Sequence, residues 1–238
     1  MVTQLVLVRH GQSVYNEENK FTGWVDVELT AAGLQEAVKA GKLLKAGGFL
    51  FDVAFTSVLK RCIVSLHTIL EETEQLWIPE RKCWQLNERH YGDLEDQVKS
   101  EVAATVGEKQ AKDWRRSYAT QPPADQHHSD GPSFVGDGPC HAMAQSEMPL
   151  TESLQDTFHR ILPLWHDSIA PAIRSGQKVL IVAHGNSIRA LIKHLQGISD
   201  EDIPGLYIPI GIPLVYELDE NLHAIKHHQV ADDSKSQD

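Results

Sequence analysis

The chain has 238 residues, 41% of them hydrophobic, and a formal net charge of −11. That length holds one large α/β domain with a substantial core, or two small ones, and the acidic balance argues against nucleic acid or an anionic membrane as the main partner. No apolar run approaches the roughly 20 residues that span a bilayer, and the sequence opens on a strand pattern without a leader segment, so a cytoplasmic location is expected.

Residues 4–8 form the first predicted strand, followed by a polar loop from His10 to about Thr30. Thr30 is a suitable N-cap for a helix that runs to about Ala46 and stops at Gly47-Gly48. A second strand is predicted over 51–56, and Ser57 is the expected cap of a helix that carries Lys60-Arg61 in its first turn and ends near Glu74. Trp77-Ile78-Pro79 reads as extended, and Trp84–Leu86 as a further strand that delivers Asn87–Gly92 to a loop. Residues 94–118 read as helical with a break near Gly107.

The five prolines within 119–149 (Pro122, Pro123, Pro132, Pro139 and Pro149) mark an irregular excursion and no domain boundary, because no second set of strands follows to build its own core. A helix starts at Thr151–Leu154 and runs to about Ser175, bent or divided by Pro163 and Pro171. Residues 178–183 form another buried strand, Ser187–Gln196 a helix, and 212–218 with 223–227 a closing pair of strands. Residues 231–238 read as a charged tail. Strands alternating with helices predict one α/β domain over 1–230, a three-layer α/β/α sandwich around a mainly parallel sheet.

Two of these strands end alike. Leu5–Val8 runs into Arg9-His10-Gly11, and Val179–Ala183 runs into His184-Gly185. In open α/β sheets ligands bind beyond the carboxyl ends of the strands, so both histidines are expected to face one pocket. A glycine after the histidine lets backbone approach a ligand closely. Arg9 supplies a fixed cation with a bidentate fork suited to phosphate, and a neutral imidazole can take up a phosphoryl group covalently. Cys62, Cys83 and Cys140 are too few and too scattered for a disulfide framework or a zinc site. His127-His128 and His227-His228 read as solvated loop or tail surface, so no metal site is expected.

Arg9-His10-Gly11 after an apolar strand is the signature of the histidine phosphatase superfamily. The wider run Arg9–Asn16, with Phe21-Thr22-Gly23-Trp24, Ser57–Arg61, Leu86–Gly92, Trp114–Tyr118, His184–Ser187 and Gly211-Ile212-Pro213, resembles the 2,3-bisphosphoglycerate-dependent phosphoglycerate mutases. The resemblance spans residues 4–219. It implies the phosphoglycerate mutase-like fold and interconversion of 3-phosphoglycerate and 2-phosphoglycerate through a phosphohistidine. It also implies 2,3-bisphosphoglycerate as primer, small phosphoglycerates as the only ligands, no metal, and a homodimer or homotetramer.

By that resemblance His10 is the nucleophile, Glu88 the proton donor and acceptor, and Arg9, Arg61 and His184 surround the transferring group. Arg89, Lys99, Arg115 and Arg116 bind the carboxylate and the other phosphate, and Ser13, Asn16, Thr22, Gly23, Tyr91, Gly185 and Asn186 supply the remaining contacts. Because neighbours on a helix diverge, one of Arg115 and Arg116 is expected to be structural.

The sequence departs from the family after Gly92, where Asp93-Leu94-Glu95-Asp96-Gln97-Val98-Lys99 replaces a stretch like Ala-Leu-Gln-Gly-Leu-Asn-Lys. Asp93 and Asp96 are expected to lie away from the bound anion. The same chemistry with water admitted gives a phosphatase or a bisphosphoglycerate mutase/phosphatase as the alternative activity. A catalytically silent phosphate-binding scaffold is the non-enzyme alternative, against which stand His10, Arg61, Glu88 and His184.

Overall fold

The computed structural model describes residues 3–125 and 148–230. Six strands form a single sheet in the order β3-β2-β4-β1-β5-β6: β1 (Thr3–Arg9), β2 (Val53–Thr56), β3 (Glu80–Lys82), β4 (Val179–Ala183), β5 (Leu214–Leu218) and β6 (Ala224–Gln229). The pairs β3/β2, β2/β4 and β4/β1 are parallel, while β1/β5 and β5/β6 are antiparallel. The mainly parallel sheet matches the expected fold.

The central strands read as continuous apolar runs because both of their faces are covered. Val6, Val8, Leu180 and Val182 pack on one side against Ala40 and Leu44 of α2 (Ala31–Ala46) and Leu66 and Ile69 of α3 (Lys60–Glu72). Leu5, Leu7, Val179 and Ile181 pack on the other against α6 (Leu154–Leu164), α7 (Ala170–Arg174) and α8 (Gly185–Gln196) through Ile161, Ile173, Ile188 and Leu191. Two short helices, α4 (Lys99–Val106) and α5 (Glu108–Arg116), break at Gly107 as expected, with φ at +88°. A π-helical turn, Trp165–Ile169, separates α6 from α7, so the proline-bearing helix is divided. Pro171 has no N–H for the turn before it, and the Ala170 N–H reaches back five residues to the Trp165 carbonyl.

Five local expectations are corrected. Trp84–Leu86 is a 3-10 helix, and the strand lies upstream at Glu80–Lys82, where parallel pairing with β2 overrides a fully polar sequence. Leu76-Trp77 is part of a turn. The cap of α3 is Leu59, and Ser57 instead accepts the Leu59 N–H at 3.2 Å. The loop after His10 holds a one-turn helix, α1 (Val14–Glu17). His227 and His228 are exposed on edge strand β6 and not on a loop, with His227 stacked on Tyr216. His127-His128, Cys140 and the tail 231–238 lie outside the described residues. Among the described residues no helix is long and apolar enough to cross a membrane, and no group of three or more His, Cys, Asp or Glu could hold a metal ion.

Candidate active site

Parallel pairing of β1 with β4 aligns Arg9 with Ala183, so the next residues, His10 and His184, leave the sheet side by side. The His10 backbone N–H donates to Ala183 at 3.0 Å, and the two rings stand 5.0 Å apart at 66°. Gly11 is required by packing as well as by the site: a Cβ there would sit 2.1 Å from the carbonyl oxygen of Gly33 on α2.

His10 Nδ1 lies 2.7 Å from the Gly11 carbonyl oxygen. A carbonyl only accepts, so Nδ1 carries the proton and the Nε2 lone pair is left for chemistry. Burial, then the Arg61 and Arg9 charges, hold His10 well below the usual imidazole range, against the opposing pull of the Gly11 carbonyl. A neutral ring with a free Nε2 is the nucleophilic form. His184 is likewise held well below that range, by burial first and then by Arg61 and His10.

The cations around this pair are held by backbone carbonyls. Arg61, buried in the first turn of α3, donates Nη1 to Val25 at 2.8 Å and Nη2 to Gly23 at 2.7 Å. Burial lowers its pKa, with nearby Glu88 among the groups that oppose the shift. Arg9 donates Nη1 to Ile208 at 3.1 Å. Among the described residues, Nε of Arg9, Arg61 and Arg89, Nη1 of Arg89 and Nδ1 of His184 are buried without a hydrogen-bond partner. An unmet buried donor costs about 1–3 kcal/mol, so this concentration of them fits an anionic ligand.

Glu88 enters from the loop after the Trp84–Leu86 helix. Its Oε1 accepts the backbone N–H groups of Arg89 at 2.8 Å and of Asn186, in the first turn of α8, at 3.1 Å. The carboxylate therefore meets the backbone of Arg89 and not its guanidinium. Arg89 donates Nη2 to Tyr91 at 3.1 Å and to the Arg115 carbonyl at 2.8 Å, and Asn186 Nδ2 also donates to the Tyr91 hydroxyl, at 3.2 Å.

A cavity of about 120 Å³ is lined by Arg9 and Gly185, the chain neighbours of the two histidines, and by Asn16, Lys20, Phe21, Thr22, Gly23, Glu88, Tyr91, Lys99, Arg115, Arg116, Asn186 and Arg189, while the buried rings of His10 and His184 and the buried Arg61 side chain are not part of its lining. Six of these side chains are cations and one is a carboxylate, in a chain that is acidic overall. Both Arg115 and Arg116 line it, because they close the last turn of α5. Burial, Arg115 and Arg9 push Lys99 down to about 8. Arg89 stands behind Tyr91, and Ser13 is spent locally: its hydroxyl accepts the Asn16 N–H as the cap of α1, so neither lines the cavity.

The acidic departure resolves by residue. Neither Asp93 nor Asp96 lines the cavity; Asp96 is exposed and pairs with Lys20 at 3.0 Å. Glu95 turns inward and its Oε1 accepts the N–H groups of Trp24 at 3.0 Å and Tyr91 at 2.9 Å, tying two walls of the cavity together. Burial pushes Glu95 up to about 8.

Sequence reasoning missed the supports. Arg160 on α6 forms an ion pair with Glu152 at 2.6 Å and donates to the carbonyls of Gln85, Asn87 and Glu88. The Glu88 carbonyl also accepts Trp24 Nε1 at 2.6 Å. Arg189, pushed down to about 10 by burial and Arg116, donates to Asn186. Glu152 lies just before the Ser153 cap of α6, eight residues ahead of Arg160, so no helical spacing rule joins the pair.

A parallel α/β sheet with paired histidines and buried arginines at its carboxyl edge is the architecture of a phosphate-handling enzyme. The histidine phosphatase superfamily (branch 1) matches residues 5–135 and 138–229, and the chain belongs to it. Its members are phosphoryl-transfer enzymes. Among solved structures, a mycobacterial glucosyl-3-phosphoglycerate phosphatase is 24% identical, with 95% of this chain and 97% of that chain covered and a TM-score of 0.71. The α-ribazole phosphatase of Shigella flexneri is 20% identical, with 94% of each chain covered and a TM-score of 0.68. The Bacillus stearothermophilus protein YhfR is 22% identical, with 95% of each chain covered and a TM-score of 0.70. These likenesses establish the shared fold.

Proposed function

We propose that this chain is a phosphoglycerate mutase that moves a phosphoryl group between the 2- and 3-hydroxyls of glycerate by way of phospho-His10. The observation that carries this reading is the second cationic wall. Lys99, Arg115 and Arg116 stand with Glu88 in the cavity lined by Arg9 and Gly185, the chain neighbours of the two histidines, which suits a small acid with a second anionic group. His10 Nε2 attacks phosphorus as the ester P–O bond breaks. Arg9, Arg61 and His184 offset the charge on the equatorial oxygens. Glu88 gives a proton to the departing alkoxide and takes one from the attacking hydroxyl in the return step.

Lys99, Arg115 and Arg116 hold the carboxylate, with Asn16, Thr22, Gly23, Tyr91, Gly185 and Asn186 as polar contacts and Arg89 bracing Tyr91 from behind. The orphaned arginine and His184 donors suit 2,3-bisphosphoglycerate, which supplies the phosphoryl group that charges His10.

A second reading, hydrolysis of a phosphomonoester, is favoured by two of the structural neighbours, which are named as phosphatases, one of them acting on a phosphoglycerate derivative. The test is intact-protein mass measurement after mixing with 2,3-bisphosphoglycerate, followed by assays of 2-phosphoglycerate formation and of inorganic phosphate release. A single phosphoryl adduct, absent in His10→Ala, with primer-dependent isomerisation supports the mutase. An adduct with phosphate release alone selects the phosphatase, and no adduct overturns both.

A further inference from the structure

Two groups contacting His184 have no part in the reaction just described. Its Nε2 lies 2.8 Å from Ser57 Oγ and 3.2 Å from Cys62 Sγ, and all three residues are buried. Ser57 Oγ accepts the Leu59 N–H, which leaves its own hydrogen to donate. Burial pushes the Cys62 thiol up to about 12, so sulfur keeps its hydrogen too. A ring nitrogen that accepts the Ser57 O–H leaves the single proton of a neutral imidazole on the other nitrogen. That other nitrogen, Nδ1, is the buried atom without a protein partner.

The support is rigid. Thr56, one residue before Ser57, donates its hydroxyl to the Val182 carbonyl at 2.8 Å and locks the end of β2 to β4. Cys62 sits in the first turn of α3 directly after Arg61.

We infer that Ser57, assisted by Cys62, is a positioning residue that fixes His184 as the Nδ1–H tautomer, so that its one ring proton is offered to the phosphoryl group in transfer. The inference rests on the phospho-His10 reading above. The opposite tautomer would spend its proton on Ser57 and turn a lone pair toward phosphoryl oxygens, which is repulsive. A hydroxyl donor on Nε2, with an uncharged thiol beside it, removes that state without adding a charge to the site.

The experiment is a two-bond ¹H–¹⁵N correlation spectrum of the ¹⁵N-histidine-labelled full chain, with the His184 signals identified by their loss in His184→Asn. The expected pattern is a protonated Nδ1 and an unprotonated Nε2. In Ser57→Ala the pattern shifts toward a tautomer mixture and kcat falls by roughly 10-fold with little change in KM, less than the roughly 10²–10³-fold cost of deleting an oxyanion donor outright. Ser57→Thr, which keeps the hydroxyl, restores both readouts. Cys62→Ser, which also keeps a donor, retains the tautomer and covers the case in which Ser57→Ala fails to fold. A protonated Nε2 in the wild-type chain overturns the inference. So does an unchanged tautomer in a folded Ser57→Ala. Absence of a His10 adduct would instead overturn the parent reading while leaving the tautomer legible.

Discussion

The imidazole of His10 donates its Nδ1–H to the carbonyl of its own neighbour, Gly11, at 2.7 Å. This bond keeps Nε2 unprotonated while burial and two arginines keep the ring neutral. The nucleophile loses activity only when pH falls through its lowered pKa. The acid limb of kcat/KM is therefore expected below 6.5, the ordinary value for this group. A pH profile of kcat/KM checks this, and an acid limb at or above that value would contradict it.

The Arg160–Glu152 pair, nine-tenths or more buried at both ends, holds the backbone on either side of the Glu88 side chain. Removing one partner of a buried pair leaves the other charge uncompensated, at a cost of about 3–5 kcal/mol. Arg160→Ala is expected to lower stability by that order in a denaturant titration. It is also expected to lower kcat beyond the loss explained by the unfolded fraction, because three carbonyl contacts to the Gln85–Glu88 segment go with it.

These supports also mark where the sequence stops being legible. Strand-His-Gly at both ends of the chain placed His10 and His184 correctly, because a fully buried parallel strand is apolar throughout and its end is visible as the first polar residue. Lys99, Arg115 and Arg116 were legible as a motif. Glu80–Lys82 was not legible as a strand, since its state is set by pairing with β2 and its own residues carry no apolar pattern. Arg160, Glu152, Glu95 and Arg189 act through contacts across 8 to 75 residues of chain, for which no local spacing rule exists. In sequence Ser57 reads as a helix cap, because that is what serine before a helix most often does. Its hydroxyl reaches His184 because α3 starts three residues later.

Lys99, with its pKa pushed down to about 8, gives the cationic wall a titrating member. It is charged below that pH and neutral above it, so grip on an anionic substrate weakens as pH rises through 8. A hydrogen bond to a charged group is worth about 1.5–3 kcal/mol, or roughly tenfold or more in binding. KM for the phosphoglycerate is expected to rise about tenfold between roughly pH 7 and 9.5. Lys99→Arg, whose charge does not titrate in this range, is expected to flatten that rise. Steady-state kinetics of both chains across the range decide the matter.

Glu95 is a carboxyl that burial has pushed up to about 8 from an ordinary 4.5, although it accepts two backbone N–H groups. The folded chain therefore keeps a proton that the unfolded chain has released across that window. By linkage, the Glu95 contribution to stability is full below about 4.5 and declines as pH rises toward 8. The buried histidines carry the opposite sign: their lowered pKa values make the fold less stable as pH drops below 6.5. Glu95→Gln isolates the carboxyl, since the amide oxygen still accepts from Trp24 and Tyr91 but nothing there titrates. The variant is expected to match the wild type near pH 5 and to be the more stable of the two at pH 9. Thermal melts at both values measure the difference. A wild type that gains on the variant as pH rises would show that the two N–H groups outweigh burial and that Glu95 is ionised in the fold.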